Sequence, residues 1–318
     1  MMLTGEHCTA GTGTQLTNVL HITDNLPAGP AGRIRIAYTA APGSREPESG
    51  EGTLHRIASA GLATLALALL SACGGGGGGS TLGPVPNAKL GGLWTGTLTV
   101  SGVSYDMTGL SAENGTLELI ESDTGNTFAA QYWGAISSTG SKFTASFTGA
   151  VISSSGTFSD GSLRGTGTAT GTIVEHASIN GTVTFTTSLN TVVTGTLALT
   201  NDPTYSQPSS LAAISGNYTN AVTAGDTLSI TTGGVITYAD PAGTQCVGNG
   251  TVTIINATYA VYGGQISFSG CSNALLNGTS FQGIGAIDSV NVPPLMLFLM
   301  HGTVSSTDVP LTLLYQKT

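Results

Sequence analysis

The chain has 318 residues, of which only 8% are charged and 40% are apolar, so it is neither a disordered polyelectrolyte nor short of material for a packed core. The formal charge is −9, and after Cys73 only Lys89, Lys142, Arg164 and Lys317 stand against twelve carboxylates; without clustered cations, nucleic acid and anionic lipid surfaces are excluded as electrostatic partners. The 47 glycines, set among abundant Thr, Ser and Val, disfavour long helices and predict an all-β chain of short strands and tight turns.

Residues 1–53 contain Pro, Gly and scattered charges with no sustained strand or helix period, and Cys8 within them receives no role. Residues 54–72 have another character. A short basic start at His55 and Arg56 precedes an apolar stretch, Ile57 to Leu70, and then small residues, the pattern of a secretory signal peptide. The apolar stretch is shorter than the roughly 20 residues a helix needs to cross the hydrocarbon core. Its end, Leu70-Ser71-Ala72-Cys73, resembles the lipobox of bacterial lipoproteins. The resemblance implies cleavage before Cys73, lipidation of its thiol with palmitate-type acyl chains, and a membrane attachment worth about 0.8 kcal/mol per buried CH₂. Gly74 after the cysteine, in place of Asp, implies sorting to the outer membrane. Because such a signal ordinarily opens a chain, residues 1–53 are expected to be a non-native extension, with Leu54 the true start, read as Met from an alternative start codon. An unusually long leading region is the alternative.

Residues 73–86 combine the lipidated cysteine with Gly74 to Gly79, Ser80, Pro84 and Pro86, which predicts a flexible tether spanning roughly 20 Å. A phosphate-binding loop is excluded because the Lys-Ser/Thr ending and the preceding strand are missing.

From residue 87 the alternation of half-buried strands takes over, and 87–201 reads as a first β-domain. Trp94, Leu98 and Val100 alternate with Thr95, Thr97 and Thr99, and the same holds for Phe143, Ala145 and Phe147, for Val183 and Phe185, and for Val193, Leu197 and Leu199. Gly-containing pairs at Asn114-Gly115, Thr124-Gly125, Asn180-Gly181, Asn249-Gly250 and Asn277-Gly278 read as hairpin turns. Gly92-Leu93-Trp94 resembles the Gly-x-Trp on the first strand of lipocalins and related calycin barrels, which implies a barrel with one end closed by Trp94, although the arginine that usually partners that tryptophan has no counterpart here. The run Gly165 to Thr172 would also suit a β-solenoid, which ranks second because no short period runs through the chain. Glu118, Glu121 and Asp123 lack the spacing of a calcium loop and read as a solvated strand end.

A break at Asp202-Pro203 and Gln207-Pro208 precedes a second β-domain, 209–318. Its opening repeats the first: Ala212-Ala-Ile-Ser-Gly-Asn-Tyr218-Thr aligns with Ala88-Lys-Leu-Gly-Gly-Leu-Trp94-Thr. Two tandem antiparallel meander barrels are therefore expected, one larger barrel or sandwich being the alternative. Cys246 and Cys271 are expected to form a structural disulfide in an oxidising compartment, closing a loop worth roughly 3 kcal/mol on the chain-entropy model.

No catalytic set emerges. Glu175-His176 lies in a strand-like run whose neighbouring side chains face opposite ways, His301 reads as a surface residue at a strand end, and no serine sits in a nucleophile elbow. No metal or cofactor is expected. The composite expectation is a non-enzymatic, lipid-anchored envelope lipoprotein acting as a binding or interaction module for an envelope protein, a host protein or a glycan, with no nucleic-acid partner. The alternative is a calycin-like carrier of an apolar small molecule, for which a filled interior would be fatal; an envelope hydrolase ranks third.

Overall fold

The computed structural model describes residues 86–122, 128–152, 156–221, 225–241, 243–289 and 292–318. Cys73, the signal segment, most of the tether, Asp123 and the Thr124-Gly125 pair lie outside the described residues.

Two closed, eight-stranded antiparallel barrels follow one another along the chain. The first is built from β1 (Gly92–Val100), β2 (Val103–Ser111), β3 (Thr116–Ser122), β4 (Phe128–Thr139), β5 (Lys142–Val151), β6 (Arg164–Val174), β7 (Ser178–Thr187) and β8 (Val192–Asn201), each paired with its successor, and β8 closes on β1. The second comprises β9 (Gly216–Asn220), β10 (Thr227–Ile230), β11 (Val235–Ala239), β12 (Val247–Ile254), β13 (Tyr262–Ser269), β14 (Ser280–Asp288), β15 (Leu295–Val304) and β16 (Thr307–Lys317), closed by β16 on β9. Closure removes the exposed strand edges that a threonine-rich sheet would otherwise present. The single larger barrel and the solenoid are thereby overturned, and the two repeated openings mark the first strand of each barrel, with Trp94 and Tyr218 both fully buried.

The alternation places side chains as expected. On β6 the residues Thr166, Thr168, Thr170 and Thr172 face outward, while Gly165, Gly167, Ala169, Gly171 and Ile173 face the interior. Turn chemistry is partly different from expectation. Gly115 and Gly278 adopt the positive φ of a turn, but Asn180-Gly181 and Asn249-Gly250 lie inside β7 and β12. Gly181 is needed there for space: a Cβ would meet the carbonyl of Thr170 at 2.4 Å and the Phe143 ring at 2.9 Å. The tight hairpins are instead made by Ser101-Gly102 and Ser305-Ser306, all with positive φ.

The barrels pack side by side. Ile120 of the first meets Leu295, Leu297, Leu299 and Leu314 of the second, and Leu93, Leu110 and Ala112 meet Val261, Ile284 and Ala286. This explains the unbroken apolar run Leu295 to Met300: Met296, Phe298 and Met300 fill the second barrel, and the alternate leucines fill the seam. The connection between barrels is anchored by Tyr205, whose hydroxyl donates to Glu113 Oε1 at 3.0 Å and whose ring stacks on Tyr259 at 4.8 Å. Capping α1 (Leu211–Ile214) buries Ile214 in the second core, and Cys246 is disulfide-bonded to Cys271, 25 residues further on.

Candidate functional site

The interior of the first barrel is hollow. An eight-stranded barrel is just wide enough either to be filled by its own side chains or to hold one small ligand, so the size of the inward residues decides. Here three successive strands contribute small ones: Gly165, Gly167 and Ala169 on β6, Gly181 on β7 and Gly195 on β8. The cavity they leave measures about 460 Å³, within the roughly 300–1,000 Å³ of small-molecule sites. Its wall is mostly apolar, with Leu98, Met107, Leu119, Val183 and Leu197 among the residues that form it.

Aromatic rings lie flat against the glycines. A Cβ at Gly165 would strike the Phe185 ring at 2.6 Å, one at Gly167 the Phe147 ring at 2.5 Å, and one at Gly149 the Tyr132 ring at 2.6 Å. Phe147 and Phe185 are stacked at 6.3 Å, and Tyr132 meets both edge-on. These rings cover the glycines and form part of the cavity wall.

One end of the barrel is sealed. Trp94 is fully buried, its ring lies over Gly92 and its Nε1–H donates to Ser111 Oγ at 2.7 Å, while Ser111 in turn donates to the Leu90 carbonyl. Leu90 and Ala88 pack beneath it. The other end is lined by Val100, Tyr105, Val193, Thr187 and the segment Gly156 to Ser159, in which Phe158 leans on Phe185 at 5.0 Å. Asp160 holds that segment by accepting from the Thr187 hydroxyl and from the Ser162 N–H, contacts that keep its carboxyl well below the usual carboxylate range.

Glu121, Tyr132, Tyr105, Thr157, Ser159 and Thr187 supply the polar part of the lining. Glu121 and Tyr132 both line the cavity, and the Tyr132 hydroxyl donates to Glu121 Oε2. Burial, followed by the neighbouring Glu121, drives the phenol far above its ordinary pKa, so it stays protonated. Among the described lining residues there is no Lys, Arg or His.

The expectation of a solvated strand end at Glu118 and Glu121 is corrected. Both carboxylates are buried, and they point to opposite sides of β3, Glu121 into the cavity and Glu118 into the seam. His301 is likewise no surface residue at a strand end. It lies within β15 with Nδ1 2.8 Å from Glu118 Oε1 and its ring stacked on Trp133 at 5.5 Å. Gln131 completes the seam by donating to Glu118 and to the Met300 carbonyl while accepting from Thr312. Burial raises the Glu118 carboxyl to about 7, against the pull of His301 and Gln131.

Beside His301 is a smaller polar hollow of about 300 Å³, lined by Ser280, Gln282, Thr303 and Asp308 among others. A histidine, a carboxylate and hydroxyls thus meet, yet Ser280 is bonded to Ser267 and Thr303 donates to Asp308, so neither hydroxyl is presented to the imidazole as a nucleophile would be. His176 sits in the turn between β6 and β7 with φ +51°, not in a strand, and packs against Tyr205 and Tyr259 with Nε2 3.5 Å from Glu113. Glu175 pairs instead with Lys89. No group of three or more His, Cys, Asp or Glu able to hold a metal occurs among the described residues.

Sequence reasoning missed the cavity residues Tyr132, Phe158 and the interior role of Glu121. The available signal was the small residue at every second position of β6, opposite threonines. Comparison with protein-family models, with curated proteins and with solved structures finds no match to this chain.

Proposed function

We propose that this protein is a lipid-anchored lipoprotein of the cell envelope, held at the outer membrane through Cys73, whose first barrel carries an apolar small molecule. The observation that carries the reading is the apolar cavity of about 460 Å³ inside that barrel. It favours the carrier over a module that engages proteins or glycans by its surface, because an unfilled apolar interior forfeits packing energy that a monomeric scaffold would otherwise keep. The Trp94-sealed end accords with the calycin-like reading of Gly92-Leu93-Trp94. The exposed threonine rows of β6, β7 and β8 suit water rather than the apolar band of a membrane-spanning barrel, consistent with attachment by lipid alone. The disulfide suits the same oxidising compartment.

The test is uptake of N-phenylnaphthylamine, a neutral fluorescent probe, by the full chain purified without detergent. One probe per chain is expected, and Ala169→Phe, which places a ring in the cavity, should weaken binding at least about tenfold while leaving the circular dichroism of the barrels unchanged. Equal binding by wild type and Ala169→Phe, or none by wild type, would sink the reading.

A further inference from the structure

Resting on the reading of the chain as a lipid-anchored carrier, we infer that the end of the first barrel opposite Trp94 docks on the bilayer that holds the anchor. The contact is apolar: Val103, Leu163, Leu189 and Val192 enter the boundary between head groups and acyl chains, and the cavity exchanges its small molecule with the bilayer there.

The exposed apolar side chains of this barrel are gathered at one end. Among its described residues five large ones are exposed, and four of them, Val103, Leu163, Leu189 and Val192, between 41% and 61% accessible, stand at the turns opposite Trp94; the fifth, Val174, is at the sealed end. The turns adjoin one another. Ser188 N–H donates to the Arg164 carbonyl at 2.8 Å, which sets the β7–β8 turn and its Leu189 beside Leu163, while Val103 pairs with Val100, itself paired with Gly195 on the strand that Val192 opens. Leu189 gives the hairpin nothing, since Asn190 supplies the positive φ of the turn and the N–H that bonds the Thr187 carbonyl. Val100, Tyr105 and Val193 line the cavity at this same end. Grouped aliphatic side chains around a cavity rim mark an interaction surface in a way that scattered ones do not.

The length of chain before the barrel, and where it ends, point to the occupant. Ala88 N–H donates to the Gly140 carbonyl and Gly140 N–H to Asn87 Oδ1, both at 2.9 Å, so the chain joins the barrel at its sealed end. A strand of ten residues such as β7 or β8 rises about 33 Å, or roughly 25 Å along the axis of a barrel whose strands tilt by about 40°. The 14 residues from Cys73 to Asn87 can reach about 46–50 Å, enough to pass that height and let the far rim meet the same bilayer. Charge leaves the contact to apolar area: the described charges near this end are Asp106, Glu121 and Asp160 against Arg164, so attraction to anionic head groups cannot drive it. Four aliphatic side chains hold a bilayer only weakly, but the anchor makes their contact intramolecular, and weak attraction then suffices.

The test uses the processed, lipid-anchored chain in dioleoylphosphatidylcholine vesicles containing a doxyl-labelled lipid as quencher. A nitrobenzoxadiazole fluorophore is placed on Leu189→Cys, or on Val174→Cys as the comparison at the sealed end; Cys246 and Cys271 are bonded to each other and leave the introduced thiol to be labelled. The fluorophore at position 189 is expected to lose at least about half its emission to the quencher, at low and high salt alike, and the one at position 174 almost none. Val192→Cys gives the same reading where Leu189→Cys fails to fold. Quenching at position 189 that is absent, released by salt or matched at position 174, in a chain that floats with the vesicles, would overturn the docking. A chain that does not float with the vesicles has no anchor, and the docking falls with it; a quenched rim on a chain that takes up no N-phenylnaphthylamine removes the carrier reading and leaves the docked rim standing.

Discussion

The two barrels share strand number, topology and an aromatic anchor on the first strand, yet one is hollow and the other is filled. The second barrel directs Tyr218, Tyr238, Tyr262, Phe268, Phe281 and Phe298 into a single continuous core, with Met296 and Met300 in the remaining gaps. Methionine adapts to such irregular spaces. In the first barrel the rings of Tyr132, Phe147 and Phe185 lie against glycines of β5 and β6. Both barrels have interior glycines, but Gly264 and Gly285 of the second are covered by the one Phe298 ring, at 2.7 and 2.4 Å from where a Cβ would stand. The lesson is that barrel closure does not itself produce a cavity; the ratio of bulky to small inward residues does.

Removal of rings should expose this contrast most strongly. Phe298→Ala opens a void in the filled barrel and is expected to destabilise by about 3–5 kcal/mol, whereas Phe147→Ala, whose ring already borders empty space, should cost roughly 1–2 kcal/mol. Urea denaturation midpoints compare the two, and equal losses would argue that the first barrel is as tightly packed as the second. Next in size, replacing both Cys246 and Cys271 by Ser should cost roughly 3 kcal/mol and lower the midpoint of the second barrel. Tryptophan fluorescence follows the first barrel and the seam in that experiment, since both tryptophans lie on its strands and Trp133 stacks on His301.

Added bulk should separate the barrels in the opposite sense. Gly285→Ala drives a methyl into the Phe298 ring and is expected to cost about 1–3 kcal/mol, while Ala169→Leu grows into the cavity and should change stability by less than about 1 kcal/mol. A destabilised Ala169→Leu would contradict an open interior.

The smallest effect concerns the seam between the barrels. Glu118 has its folded-state pKa raised from an ordinary 4.5 to about 7 by burial, so its ionisation opposes folding, and its contribution to stability falls as pH rises through that window. Glu118→Gln retains an acceptor for His301 without a charge to bury. Its stability relative to wild type should therefore improve from pH 5 to pH 8, by a modest shift of midpoint; a difference independent of pH would show that Glu118 does not titrate within the fold.

Much of the architecture was legible before any coordinates. The Thr/apolar alternation predicted which side chains of β1, β5, β7 and β8 face inward, and the repeated Ala-to-Thr segments marked where each barrel begins. The disulfide followed from there being two cysteines after the tether. Turn assignment was weaker: Asn-Gly at 180–181 and 249–250 serves strand packing, while Ser305-Ser306 turns without any glycine, because tertiary crowding and hairpin register override the local preference.

What sequence by itself determined is strand periodicity, because the pleat repeats every two residues whatever surrounds it, and the low cation content, which is a property of composition. Tertiary structure decided the rest. Only strand register sets Gly149 against Tyr132 and draws Tyr132 onto Glu121, and only the packing of one barrel on the other sends Glu118 across to His301, 183 residues away. Cavity and core positions read alike along a strand, since both are apolar at every second residue; whether they enclose space or fill it depends on what the opposite wall supplies.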